Sequence, residues 1–120
     1  MCFRISNTHP SAKIAAKDIK CYKVLWSDYS NLYKYALAKE IFYKPNVEMP
    51  AVELVVLTER KEILDGYYSY RTIDKLKAAR RDYGERHLDG AINVACIIPK
   101  GTKYFENETQ YVSETIIMVE

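Results

Sequence analysis

Glu114 is the residue of this 120-residue chain whose type and placement most invite chemistry. It stands inside QYVSETIIM (110–118), a run of β-forming residues. The alternation Val112, Glu114, Ile116, Met118 puts its carboxylate on the same face as apolar side chains. A carboxylate buried without a partner costs stability, so Glu114 either faces water or borders a cleft. Cys96 and His87 are the one thiol and imidazole close in sequence, but Cys96 lies in the apolar run INVACII (92–98). That setting suits an inert core thiol better than an activated thiolate. His9 and His87 are far apart, and neither has ligand spacing to a Cys or another His. No metal site and no cofactor are expected. Pro99-Lys100-Gly101-Thr102 carries the residue types of a phosphate-binding loop in the wrong order, and between strands instead of before a helix. It reads as a turn, with Gly101 supplying a positive φ.

Composition bounds these readings. At this length the chain forms one domain, and 48% hydrophobic with 28% charged residues is normal for a folded protein. Residues 1–18, broken by Asn7, Pro10 and Ser11, read as a lead-in segment. The formal charge of +2 argues against a nucleic-acid partner, which calls for a clear basic excess. Lys75, Lys77, Arg80, Arg81 and Arg86 are offset by Asp74, Asp82 and Glu85 and read as a solvated face. Three cysteines, Cys2, Cys21 and Cys96, without close spacing do not make a disulfide framework and fit a reducing compartment. There is no apolar run of signal-peptide or transmembrane length, so the expected location is the cytoplasm. Eleven tyrosines exceed the needs of a small core. Tyr offers large contact area at low entropy cost, so a Tyr-rich contact surface is expected. The competing role is half-buried packing on sheet faces.

The elements that must position these residues are mostly strands. KCYKVLW (20–26) is a first strand and residues 27–31 a turn. LYKYALAKEIFY (32–43) reads as extended, with a helix as the alternative. KPNVEMP (44–50) is a loop, AVELVVL (51–57) a strand, and TERKEILD (58–65) a polar connection. GYYSY (66–70) is a short aromatic strand. Thr72 as N-cap, Asp74 in the first turn, the stripe Ile73, Leu76, Ala79, Tyr83, and Gly84 as a stop define a helix. ERHLDG (85–90) is a loop, INVACII a strand buried on both faces, KYF (103–105) a short strand, ENETQ (106–110) a turn and YVSETIIMV (111–119) the last strand. The expected fold is α+β: a largely antiparallel sheet with one principal helix packed on it.

CYKVL, GYYSY, IPKGTKYF and YVSETI, spread over most of the chain, carry a resemblance. Together they resemble a group of short, uncharacterised proteins of phages and gut bacteria. The histidine usual in the middle of that group's aromatic strand is Tyr68 here. The resemblance implies a phage or mobile-element origin and brings no activity. A fainter likeness, in the order of elements, is to a reduced ADP-ribosyltransferase core. It would make Glu114 the catalytic carboxylate and put Ser69 and Tyr70 on the aromatic strand. That family's early His or Arg is replaced by Tyr22 and Lys23, and the acidic residue that marks its arginine-modifying members is Val112.

The expected function is that of a small non-enzymatic accessory protein of phage or mobile-element origin. It would bind a host protein or small ligand through Tyr22, Tyr67, Tyr68, Tyr70 and Glu114, in an anti-defence role, with a homodimer as an expected assembly. The alternatives are a degenerate ADP-ribosyltransferase-like or nucleotide-binding protein, with Glu114 as the one catalytic candidate, and a virion-associated structural component.

Overall fold

The computed structural model describes residues 3–5, 10–27, 33–35, 42–63 and 65–119. Most of the expected turn at 27–31 and residues 36–41 of the ambiguous segment lie outside these, as do Cys2 and His9. The strands are β1 (Phe3–Arg4), β2 (Lys13–Ile14), β3 (Ile19–Ser27), β4 (Tyr33–Tyr35), β5 (Phe42–Tyr43) and β6 (Val56–Leu57). They continue with β7 (Glu62–Ile63), β8 (Tyr67–Tyr70), β9 (Ile92–Ile98), β10 (Lys103–Glu106), β11 (Gln110–Ser113) and β12 (Ile117–Met118). One helix, α1 (Ile73–Tyr83), and a 3-10 turn (Glu85–Leu88) complete the described elements. All pairings are antiparallel, and the α+β class expected from sequence is the class observed.

The main sheet runs β12-β9-β3-β8-β11-β10-β2, with β4 and β5 added along β3; a small sheet runs β1-β7-β6. The main sheet cannot be flat. β11 and β12 are four strand positions apart, about 19 Å at ~4.8 Å per strand. The four Cα steps from Ser113 to Ile117 reach at most about 15 Å. β9 and β10 are also four positions apart but are joined by the closed Pro99–Thr102 turn, where Thr102 N–H donates to Pro99 O at 3.1 Å. The sheet is therefore rolled, with one concave and one convex face.

Cross-strand partners share a face, so the register assigns each side chain. Cys21, Lys23 and Leu25 of β3 face inward with Val94, Cys96 and Ile98 of β9, Tyr67 and Ser69 of β8, and Met118 of β12. Tyr22, Val24, Tyr68, Tyr70, Phe105 and Val112 face outward. Two elements cover the convex face. α1 brings Leu76, which packs with Val24, Tyr70 and Leu88. The small sheet brings Phe3 and Ile63, buried in one cluster with Tyr68, Phe105, Val112 and Leu54. The cap of α1 is built as its sequence signals: Thr72 Oγ1 accepts from Lys75 N–H at 3.1 Å, and Gly84 N–H donates to Arg80 O at 3.0 Å.

Four expectations are corrected. The segment 1–18 is more than a lead-in, because β1 and β2 are strands of the two sheets and Phe3 is fully buried. In AVELVVL only Val56–Leu57 is a strand. The stretch before it runs beside β12, with Asn46, Met49 and Val52 N–H donating to Met118, Ile116 and Glu114 O. That is three residues against every two, and Pro50 has no N–H to give, so no regular ladder forms. The last strand is two strands: β11 and β12 sit on different parts of the sheet, and Glu114–Ile116 is the link that crosses over. INVACII is not buried on both faces, since Ile92 and Asn93 are exposed and the residues beyond alternate.

Gly66 sits where neighbouring side chains leave no room for a Cβ. Its φ is +119°, and a Cβ there would lie 2.6 Å from Leu54 Cδ2 and 2.6 Å from Val112 Cγ2. Gly66→Ala is expected to cost about 2–4 kcal/mol from backbone strain plus overpacking, read as a lowered urea midpoint with an unchanged m-value.

Candidate functional site

The concave face carries an unusual polar content from its centre to its lip. At the centre Lys23 is fully buried. Its ammonium donates to the carbonyl of Tyr68 and lies 5.1 Å from the ring centroid of buried Tyr43. The reason lies in the ladder. β3 and β8 pair only at Tyr22–Tyr70, and from Leu25 onward the same edge of β3 pairs with β4. Continued register would set Val24 against Tyr68. Instead the strands part there, and the Lys23 side chain reaches the carbonyl that the ladder leaves behind. Burial lowers the pKa of Lys23 to about 8, against smaller upward contributions from the thiols of Cys96 and Cys21.

Those thiols are direct cross-strand partners, both fully buried. Burial pushes Cys21 up to about 11, moderated by the Ser69 hydroxyl, and Cys96 up to about 12. Ser69 Oγ has no partner of good hydrogen-bond geometry among the described residues, and it interacts with the Cys21 thiol.

At the lip the same face opens. Tyr104 and Tyr111 are half-buried, and their rings meet edge to face, 5.8 Å apart at 83°. Arg71 leaves the end of β8 with its guanidinium 5.7 Å from the Tyr111 ring. It donates to Asn107 O at 2.8 Å and lies 3.8 Å from one oxygen of Glu106. Lys13 of β2 donates to the other oxygen of Glu106. Glu106 is 8% exposed, so a nearly buried carboxylate holds two cations in place. The hydrogen bond to Glu106 raises the pKa of Lys13, and burial, followed by the charge of Glu106, raises that of Tyr104. Asn107 Oδ1 accepts from the backbone N–H of Thr109 and Gln110 and fixes the turn beneath.

Of the residues singled out from sequence, Tyr22 and Tyr70 are cross-strand partners, but the set does not form one exposed surface. Tyr67, Tyr68 and Tyr70 are 5%, 5% and 4% exposed. Tyr67 donates to Pro50 O at 2.7 Å and Tyr68 to Ile63 O at 3.0 Å. They are core residues, and a surface built on them is corrected on that ground: both faces of the sheet are covered over β8. Tyr22 is on the convex face against the helix cluster. Glu114 is half-buried in the crossover link, its backbone bonded to Lys103 and Val52. Among the described residues, neither Glu114, Tyr22, Tyr67 nor Tyr68 lines any of three surface cavities. One of about 420 Å³ lies between Phe105 and the small sheet, and one of about 370 Å³ between Tyr70, α1 and Thr109–Gln110. Sequence reading passed over Lys23, Arg71 and Glu106. Lys23 had a visible signal, a cation in mid-strand at the parity of Cys21 and Leu25. The Arg71–Glu106–Lys13 contact joins three distant segments and had none.

Compared with known proteins, the chain matches no family model, no curated protein and no solved structure. Its function is therefore argued from its own residues. Among the described residues no group of three His, Cys, Asp or Glu side chains is placed to hold a metal, and no helix is long and apolar enough to cross a membrane.

The buried amine sets a pH signature. Below pH 8 Lys23 is charged in both folded and unfolded chains. Between about pH 8 and 10.5 the unfolded chain keeps a proton that the folded chain has released, so this group adds stability as pH rises. The gain reaches about 3 kcal/mol and levels off above pH 10.5. Buried thiols and phenols act in the opposite sense, and no less so in a Lys23→Met variant, since the Lys23 charge lowers the pKa of both Cys21 and Cys96 and its loss widens the same difference. Urea unfolding of both proteins should therefore show the wild type gaining on the variant between pH 8 and 10.5. A constant difference would mean that Lys23 titrates normally.

Proposed function

We propose that the protein is a small non-enzymatic accessory protein, of phage or mobile-element origin, that binds a partner protein in the host cytoplasm. The reading rests on one arrangement, the lip of the concave face formed by Tyr104, Tyr111, Arg71 and Lys13. Tyr and Arg dominate the energetics of protein interfaces because they combine apolar area with directed donors. Here both are pre-positioned: Glu106 and Asn107 O orient the guanidinium, and the two rings brace each other. Little side-chain entropy remains to be lost on binding. The lip carries two cations against one carboxylate, so its partner presents an acidic segment with an exposed apolar or aromatic residue. The Tyr-rich contact surface expected from sequence thus moves from β8 to β10 and β11.

No observation favours a second reading. An ADP-ribosyltransferase-like site would need Glu114, Tyr22 and Tyr68 to line one cleft; Tyr68 is buried at 5% exposure with its hydroxyl donated to Ile63 O, and none of the three lines a described cavity.

Selection of a random peptide library on the immobilised protein tests the proposal. Enriched peptides are expected to be acidic with an aromatic or aliphatic anchor. Their affinity should fall with salt and drop about tenfold or more in Tyr111→Ala and in Arg71→Glu, at a melting temperature that shows both variants folded. A library that yields no binder, or binders indifferent to both substitutions, overturns it.

A further inference from the structure

Three sulfur-bearing side chains stand in a row across the concave face. Cys21 of β3 is the cross-strand partner of Cys96 of β9, and Cys96 is the partner of Met118 of β12. All three are buried in one cluster, at 0%, 0% and 1% exposure. We propose that Cys21, Cys96 and Met118 form a binding site for a soft monovalent metal ion, Cu(I). The inference is independent of the partner-binding lip.

Ligand softness carries the first part of the argument. Thiolate and thioether donors together select Cu(I) over the harder divalent ions, and a rigid sheet holds these three at fixed spacing. Spacing carries the second part. Val119 N–H donates to Ala95 O, so the peptide groups of Ala95 point to β12 and those of Cys96 point to β3. Cys21 and Cys96 are then a hydrogen-bonded pair, the wide kind with Cα atoms about 5.5 Å apart. Directly opposed Cβ atoms stand roughly 4.5–5.5 Å apart, beyond the ~3.8 Å mean of a disulfide. A bridging ion with metal–sulfur bonds of about 2.3 Å spans that gap without moving the strands. Cys96 and Met118 are the narrow kind of pair, about 4.5 Å between Cα atoms, which brings the thioether alongside.

Charge carries the third part. Binding replaces two thiol protons, which pass to solvent, by one cation, and no electron changes hands. The resulting dithiolate–Cu(I) unit has charge −1. Lys23, two residues from Cys21 on the same face of β3 and with its ammonium buried in the core, supplies the balancing charge. Because two thiols give up their protons, uptake is coupled to proton release.

The test uses the full chain with Cys2→Ser, which leaves only the two proposed thiols. Anaerobic titration with Cu(I) against a chromophoric Cu(I) chelator should give one ion per chain and two protons released per ion. A melting temperature higher by on the order of 10 °C at a hundredfold excess over Kd is expected. Met118→Leu keeps the volume and should weaken binding tenfold or more, and Cys96→Ser should abolish it. Should Cys96→Ser fail to fold, X-ray absorption on the Cys2→Ser protein decides: three sulfur neighbours at the metal support the site. No uptake by the folded chain, affinity unchanged in Met118→Leu, or a shell without sulfur overturns it.

Discussion

The rolled sheet turns on the place where β3 parts from β8. One residue pair joins these strands, and beyond it β3 changes neighbour to β4. A carbonyl is left at Tyr68 in the middle of the core, where an unpaired polar group would cost on the order of 1–3 kcal/mol. The ammonium of Lys23 meets it, and the ring of Tyr43 covers the other side. The arrangement is dear in desolvation and firm in geometry. A methylene chain with one cationic tip fills the wedge between diverging strands, and an aliphatic side chain of the same length would take this donor from the carbonyl.

The rest of the architecture follows from that wedge. Parting strands let the sheet curl, and curling brings β9 within one turn of β10 and β11 within three residues of β12. The concave face closes over Lys23, Cys21, Cys96 and Ser69 at its centre and remains open at Tyr104 and Tyr111. The convex face is divided between α1 and the small sheet, so both flanks of β8 are occupied. Burial of Tyr68 and Tyr70 is the consequence, while Tyr67 is buried on the concave side. Their hydroxyls still need partners, and carbonyls at Pro50 and Ile63 supply two of them.

Local signals were legible wherever a residue acts on its immediate neighbours. Thr72 caps the helix it precedes, Gly84 ends it, Gly101 turns the chain at positive φ, and Asn107 folds the 106–110 turn onto its own side chain. Composition in β-forming residues identified β3, β8 and β9. It failed at 51–55, where the apolar residues pack irregularly against the crossover link. It failed again at 114–116, because a chain that changes position in a sheet keeps its β-forming residues while leaving the ladder. Glu114 drew attention for its mid-strand place, and that place is the link itself.

By itself the sequence determined the class of the fold, its principal helix, its turns at 99–102 and 106–110 and the core character of Cys21 and Cys96. Each of these follows from a propensity or a spacing within a few residues. Only the tertiary structure decided which tyrosines face outward, that Lys23 is interior, and that Lys13, Arg71 and Glu106 share one contact. Those outcomes depend on which strands become neighbours, and neighbours drawn from opposite ends of a chain leave no mark in local pattern. The roll of the sheet settles them, since strand order and link length together admit no flat arrangement.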